Sequence, residues 1–109
     1  MARMHHDAPE DGELITAEDM SAALVAGALV YSDGASQTFA TDGRRTTYVE
    51  RGTPTHGTWE IVGDGEFSSF WPPDYHANYV VRWIVQHGSR VGIRFTEIRS
   101  GNRFDGLYR

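Results

Sequence analysis

From Tyr31 to the last residue the chain is an almost unbroken series of short β-type segments separated by glycine turns. Asp-Gly and His-Gly pairs supply the positive φ angles that tight hairpins need. Connections this short make consecutive strands pair antiparallel, and closure of the meander removes its two free edges. The sequence therefore predicts a mainly β fold, an antiparallel up-and-down, lipocalin-like β-barrel of about eight strands. The predicted strands span residues 29–32, 37–40, 45–50, 57–62, 66–71, 77–86, 90–98 and 103–108.

One short α-helix is predicted ahead of the barrel, over residues 17–26. Thr16 is a suitable N-cap, and Glu18 and Asp19 stand in the first turn, where acids complement the helix dipole. Gly27 is a natural stop. Because a helix shorter than about 12 residues is marginal by itself, we expect this one to dock across an open end of the barrel.

Length and composition indicate one domain and limit its partners. The chain has 109 residues, 39% of them hydrophobic, which is enough for one core. Residues 13–109 are therefore expected to form a single barrel domain, preceded by a polar, disordered segment at residues 1–12. The net charge is −5, and residues 21–109 hold as many acids as arginines. No nucleic-acid partner is expected from such a balance.

The composition also predicts the compartment. No run approaches the roughly 20 apolar residues of a membrane span, and the N-terminal residues lack the apolar stretch of a signal peptide. The chain has no cysteine, which fits a reducing compartment. A cytoplasmic protein without a membrane partner is therefore predicted.

Alternation along the predicted strands identifies an inward face. One phase is nearly all apolar or aromatic, and Trp59, Trp83 and Phe95 on it are expected to be buried. The other phase is mixed, with more apolar members than a face fully in water should carry. A homodimer contact is therefore a hypothesis, and its surface would be formed by Phe70, Val80, Ile84 and Ile98.

A short set of aromatic, glycine and proline positions resembles a known group of proteins. Tyr48 is followed by Gly57 and Trp59, and then by Trp71-Pro72-Pro73 and a long hairpin over residues 79–97. This arrangement, within residues 27–98, resembles the lipocalin-like barrels of the calycin group, in particular bacterial MoaF-like proteins and phenolic acid decarboxylases. The resemblance implies a central cavity for a small, often aromatic or acidic, molecule.

The chain departs from the decarboxylases at the positions that carry their chemistry. Those enzymes have a pair of tyrosines on the first strand, whereas Tyr31 stands without its partner here. They have an arginine where this chain has Val49, and no carboxylate matches the acid of that family. Decarboxylation is therefore not implied by the resemblance.

Candidate catalytic residues come from the tyrosines and from one loop. Tyr31, Tyr48 or His76 could move a proton on a bound ligand. His76 follows Asp74 and Tyr75 in a proline-stiffened loop expected at the barrel mouth, and an acid, a phenol and an imidazole together are suited to proton transfer. A polar turn without chemistry is the more common role of such a loop.

Other histidines and two arginines have competing interpretations. His56, His76 and His87 show no ligand spacing, so neither a metal site nor a cofactor is predicted. Arg82 and Arg94 fall on neighbouring strands at outward positions, where a surface ion pair with Glu60 is the ordinary explanation. If a β-bulge turned either strand, they would enter the barrel as a clamp for a carboxylate.

Two functions remain open at this stage. One is a binding protein that holds a small apolar, aromatic or carboxylate-bearing metabolite. The other is a small enzyme of lyase or isomerase type that uses the tyrosines or His76 on such a ligand. A titratable group aimed into the cavity favours the enzyme, and an apolar cavity favours the binding protein. The predicted ligand-binding residues, which could equally be core, are Tyr48, Trp59, Phe67, Trp71, Tyr75, Tyr79 and Trp83, with Arg82 and Arg94.

Overall fold

Eight consecutive strands close on themselves in a computed structural model of the protein, which describes residues 9–109. The strands are β1 (Leu29–Tyr31), β2 (Ser36–Phe39), β3 (Arg45–Glu50), β4 (Thr53–Val62), β5 (Glu66–Trp71), β6 (Tyr75–Gln86), β7 (Ser89–Glu97) and β8 (Arg103–Tyr108). Each pairs antiparallel with the next, and β8 pairs with β1 to close the barrel. The predicted mainly β, up-and-down barrel is confirmed.

β4 and β6 begin four and two residues earlier than predicted because the turns before them are tighter. The turn expected over residues 52–55 consists of Arg51 and Gly52, both with positive φ, so β4 already contains Pro54. Pro54 pairs with Val49 of β3, while β5 joins β4 only from Thr58 onward. A proline is tolerated there because β4 has no second neighbour at that point. In the same way β6 begins at Tyr75, within the expected loop.

The predicted helix is present and lies at one end of the barrel. We call this the lower end, where the β2–β3, β4–β5 and β6–β7 turns lie, and the opposite end the upper end. The helix α1 (Ala17–Val25) is capped by Thr16, whose side chain accepts a hydrogen bond from the Asp19 amide. Its buried residues Met20 and Leu24 belong to the barrel core. Across residues 9–109, no helix has the length and apolar character needed to cross a membrane.

The segment before the helix is hydrogen-bonded along β6 and extends the barrel wall. The Gly12 amide donates to the Trp83 carbonyl at 2.9 Å, and the Ile15 amide donates to the Val81 carbonyl at 3.0 Å. These bonds use the edge of β6 that lies beyond Val80, where its pairing with β5 ends. Most of the segment predicted to be disordered, residues 1–8, lies outside the described residues.

The inward face forms the core as predicted. Trp59, Trp83 and Phe95 are each less than 9% exposed, which confirms the phase assigned from alternation. The outward residue Ile84 is only 6% exposed, because residues of the N-terminal segment lie along β6 beside it. It is therefore not available to the hypothetical dimer surface, whereas Ile98 is 52% exposed. The homodimer itself stays a prediction.

Candidate functional site

A cavity of about 410 Å³ opens at the upper end of the barrel, opposite α1. The rings of Phe67 and Phe95 meet at a centroid distance of 5.3 Å and form its floor. Ser32 and Asp33, from the β1–β2 turn, lie at its rim. The structure brings six of the predicted site residues together around it: Tyr31, Tyr48, Phe67, Trp71, Tyr75 and Tyr79.

Two other predicted wall residues, Trp59 and Trp83, lie in the core beneath the cavity. The Trp59 indole stacks on Phe67 with ring centroids 6.0 Å apart, and Phe39 packs edge-on against both rings. The Trp83 ring lies under the Arg90 guanidinium at 4.6 Å. Neither tryptophan lines the cavity, because strand alternation identifies the inward side but not the depth along the barrel.

Aromatic rings form much of the cavity wall. The ring centroids of Tyr31 and Tyr48 are 6.0 Å apart, and the Trp71 indole stands edge-on to Tyr48 at 6.4 Å. On β6, Tyr79 packs edge-on against Phe95 at 5.9 Å. These rings offer flat apolar faces and polar tips, so the cavity is suited to a flat ligand with few polar groups.

Two glycines make room for these rings. A β-carbon on Gly57 would lie 2.5 Å from the Trp71 ring and 2.7 Å from the Phe70 carbonyl oxygen, so the indole lies directly on the backbone of β4. A β-carbon on Gly106 would lie 3.1 Å from the Tyr31 ring. Gly57 needs glycine because the contacts would be impossibly short, whereas at Gly106 the Tyr31 ring is in tight contact and would have to shift slightly.

Sequence reasoning missed Gln37, a buried polar residue of the cavity wall. Its Oε1 accepts a hydrogen bond from the Tyr31 hydroxyl at 2.7 Å, and its Nε2 donates to Thr46 Oγ1 at 2.9 Å. The Thr46 hydroxyl donates in turn to the backbone oxygen of Thr38 at 2.9 Å. The signal for this residue is that Gln37 shares a strand phase with Phe39, where a polar side chain interrupts an inward apolar face.

Burial keeps the cavity tyrosines protonated. It raises the pKa of Tyr31 far above the ordinary value, and the neighbouring Tyr48, Tyr79 and Asp33 raise that pKa further. Burial also raises the pKa of Tyr79 to about 12, against a hydrogen bond with the Ser69 side chain that lowers it. The pKa of Tyr48 is raised as well, chiefly by burial. All three phenols are therefore neutral hydrogen-bonding groups near neutral pH.

The predicted acid, phenol and imidazole group is not assembled. Asp74 lies in the turn between β5 and β6, whereas Tyr75 and His76 are consecutive residues of β6 and point to opposite faces of the barrel. Tyr75 lines the cavity. His76 lies on the outer face, where its ring centroid is 4.5 Å from that of Phe70. The structure therefore separates His76 from the candidate tyrosines.

His56 and His87 do not line the cavity either. His56 Nδ1 lies 3.1 Å from Thr47 Oγ1 at the β3–β4 pair, and His87 lies in the β6–β7 turn at the lower end. In residues 9–109 no three histidine, aspartate or glutamate side chains are grouped closely enough to hold a metal ion.

Arg82 and Arg94 stay on the outer face of the barrel. Arg82 Nη1 donates to the Gly12 carbonyl at 2.9 Å, and Arg94 holds Asp105 through two bonds of 2.9 and 3.1 Å. The β6–β7 hairpin does contain a register shift, but this shift lies between Ile84 and Val85, past the Arg82–Arg94 pair. Neither guanidinium is therefore turned into the barrel to clamp a carboxylate.

The charges that line the cavity lie towards its rim. They are Asp33, Arg103 and Asp105. Arg103 Nε is 3.8 Å from Asp105 Oδ1, and Asp105, rather than the predicted Glu60, is also the partner of Arg94. The rim thus carries two carboxylates and one guanidinium, so it is not basic.

Comparisons with protein families, curated proteins and solved structures find no match to this chain. Of the properties that the resemblance to calycin barrels implies, the structure shows the closed antiparallel barrel and its cavity. The functional argument therefore rests on the geometry of the cavity itself.

Proposed function

We propose that this protein binds one small, flat, largely apolar molecule in the upper cavity of its barrel. The observation that carries the proposal is an open space of about 410 Å³ walled by Tyr31, Tyr48, Trp71 and Tyr79. Pockets of this size, mostly aromatic with a few polar groups, are typical of small-molecule sites.

Binding has more support than acid–base catalysis. An enzyme of lyase or isomerase type would need a group that accepts a proton near neutral pH. His76 lies on the outer face, and burial raises the pKa of Tyr31 and Tyr79. A phenol whose pKa is raised stays protonated near neutral pH and cannot accept a proton there, so we assign the tyrosines a role in ligand contact. Catalysis is the second candidate, and it would rely on Tyr48 as a proton donor, because the Tyr31 hydroxyl donates to Gln37.

Two further statements belong to this proposal. We propose that the chain is a lipocalin-like barrel of the MoaF-like or phenolic acid decarboxylase kind, which the closed barrel and the cavity support. We also propose a cytoplasmic location, which the absence of cysteine supports.

The proposal is tested by titrating the protein with a panel of bicyclic aromatic compounds while tryptophan fluorescence is recorded. Trp71 lines the cavity, so a bound ring should change its emission. Trp71→Ala should abolish both the signal and, by calorimetry, most of the affinity. The control Ile98→Ala removes an exposed apolar side chain elsewhere and should leave affinity unchanged.

A second variant tests whether the ligand enters through the upper end. Thr55 is exposed and lines the cavity, so Thr55→Trp should obstruct the mouth without disturbing the core. We expect binding to be lost and the melting temperature to stay the same. If no compound of the panel binds the natural protein, the proposed function is wrong.

A further inference from the structure

A backbone carbonyl determines which groups donate and which accept in the hydrogen bonds of the cavity wall. A carbonyl oxygen only accepts, so the Thr38 oxygen takes the proton of the Thr46 hydroxyl at 2.9 Å. Thr46 Oγ1 can then only accept from its other neighbour, which is the Gln37 amide at 2.9 Å. That neighbour must be the Nε2 group, and the orientation of the Gln37 amide follows.

The same chain determines where the Tyr31 proton points. With Nε2 directed at Thr46, Gln37 presents Oε1 to Tyr31 at 2.7 Å, and an amide oxygen only accepts. The Tyr31 hydroxyl therefore donates to Gln37, and what remains free on Tyr31 Oη is a lone pair. Tyr31 and Gln37 both line the cavity. Gln37 is 8% exposed and Thr46 is 2% exposed.

A second buried hydroxyl of the wall is oriented in the same way. Ser69 lines the cavity and is 2% exposed. Its hydroxyl donates to the backbone oxygen of Ala77 at 3.2 Å, and the Tyr79 side chain is its second hydrogen-bond partner, so Ser69 is already engaged within the wall. Of these two hydroxyls, Tyr31 Oη is therefore the one with a lone pair free for a ligand.

We infer that the cavity selects ligands that present an O–H or N–H donor to Tyr31, namely aromatic alcohols and amines, over carboxylates and ethers of the same shape. This inference rests on the proposed binding function and adds the class of ligand. A ligand acceptor placed against Tyr31 Oη would meet a lone pair, and an unsatisfied buried polar group weakens binding. Asp33 at the rim adds a negative charge that disfavours a carboxylate and favours an amine.

Four compounds with one ring system separate this inference from the binding proposal. Naphthalene has no polar group, 2-naphthol and 2-naphthylamine carry a donor, and 2-methoxynaphthalene carries an acceptor alone. We expect all four to bind, with 2-naphthol about tenfold tighter than the ether, the ratio that one hydrogen bond supplies. 2-Naphthoate, as the anion, should bind more weakly than naphthalene.

Gln37→Met is the decisive variant, because methionine keeps the length of the side chain but removes the acceptor of the Tyr31 proton. The freed hydroxyl can turn and donate to the ether, so the tenfold preference for 2-naphthol should disappear through a gain for the ether. Tyr31→Phe should also remove the preference, but through a loss for 2-naphthol. Circular dichroism checks that each variant is folded.

Each outcome bears on either the proposed binding function or the inference about the class of ligand. If naphthalene binds and the ether or the naphthoate binds as tightly as 2-naphthol, the cavity function stands and the inference is overturned. An unchanged preference in folded Tyr31→Phe overturns it too, even if Gln37→Met does not fold. If none of the compounds binds, the proposed function fails, and the inference fails with it.

Discussion

Inward aromatic side chains line both ends of the barrel, but the lower end is closed and the upper end is open. At the lower end α1 covers the barrel, and Met20 and Leu24 are fully buried against a core that contains Trp59. At the upper end Trp71 is half-buried and Tyr75 is 54% exposed around an open cavity. An inward aromatic side chain therefore becomes core or ligand wall according to what covers its end of the barrel.

The strand lengths add to this difference. β1 and β2 have 3 and 4 residues, whereas β6 and β7 have 12 and 9. The β1–β2 turn therefore comes early, and Asp33 of that turn lies at the rim of the cavity. The lower end instead receives the helix and the segment before it, which hydrogen-bonds to β6.

The strongest test of the comparison makes the same substitution at both ends. Trp59→Ala removes a ring that is 4% exposed and should lower the free energy of unfolding by about 3 to 5 kcal/mol. Trp71→Ala removes a ring that borders empty space, so it should cost less than about 1 kcal/mol. Urea unfolding measures both. Equal losses would show that the upper end is packed like the lower one.

The packing of α1 against the core should contribute to the stability of the protein. Leu24→Ala removes a fully buried side chain of α1 and should cost about 2 to 5 kcal/mol. Ala22, on the exposed side of the same helix, provides the control, and Ala22→Ser should change stability by less than about 1 kcal/mol. A small effect of Leu24→Ala would mean that the lower end is stable without its cover.

A substitution at Gly57 should connect packing to the cavity. The added methyl group of Gly57→Ala meets the Trp71 ring and the Phe70 carbonyl, so we expect a cost of about 1 to 3 kcal/mol. The displaced indole should also alter tryptophan emission in the absence of ligand. Emission identical to that of the natural protein would contradict the close contact between Trp71 and β4.

The smallest expected effect is a loss of stability at high pH. Burial, with nearby Tyr75 and Glu97, raises the pKa of Tyr79 to about 12, while an exposed tyrosine titrates near about 10. The unfolded chain releases this proton first, so the contribution to stability is complete below about pH 10 and is lost as the pH rises towards about 12. Urea unfolding at about pH 9 and about pH 11 should show a steeper decline for the natural protein than for Tyr79→Phe. Equal slopes would argue that Tyr79 is solvated.

Local patterns in the sequence were sufficient to predict the architecture. The bounds of β3, β5 and β8 agree with the prediction, because β3 and β5 lie between glycine-containing or proline-containing turns and β8 follows one. The helix begins after Thr16 as expected, since capping depends on a few adjacent residues. The inward phase was also correct, because side-chain alternation is a local property of an extended backbone.

Tertiary structure decided how those residues are used. Trp59 and Tyr48 share the inward face, yet one is core and the other is cavity wall, because depth depends on barrel closure and on where α1 docks. His76 is outside the site because β6 already begins at Tyr75, and neighbouring residues of a strand face opposite sides of the barrel. The pairing of Arg94 with Asp105 follows from the register of β7 and β8. Alternation and turn chemistry act between neighbours along the chain, whereas depth, cover and register are set by contacts between segments far apart in it, and only the closed barrel specifies those contacts.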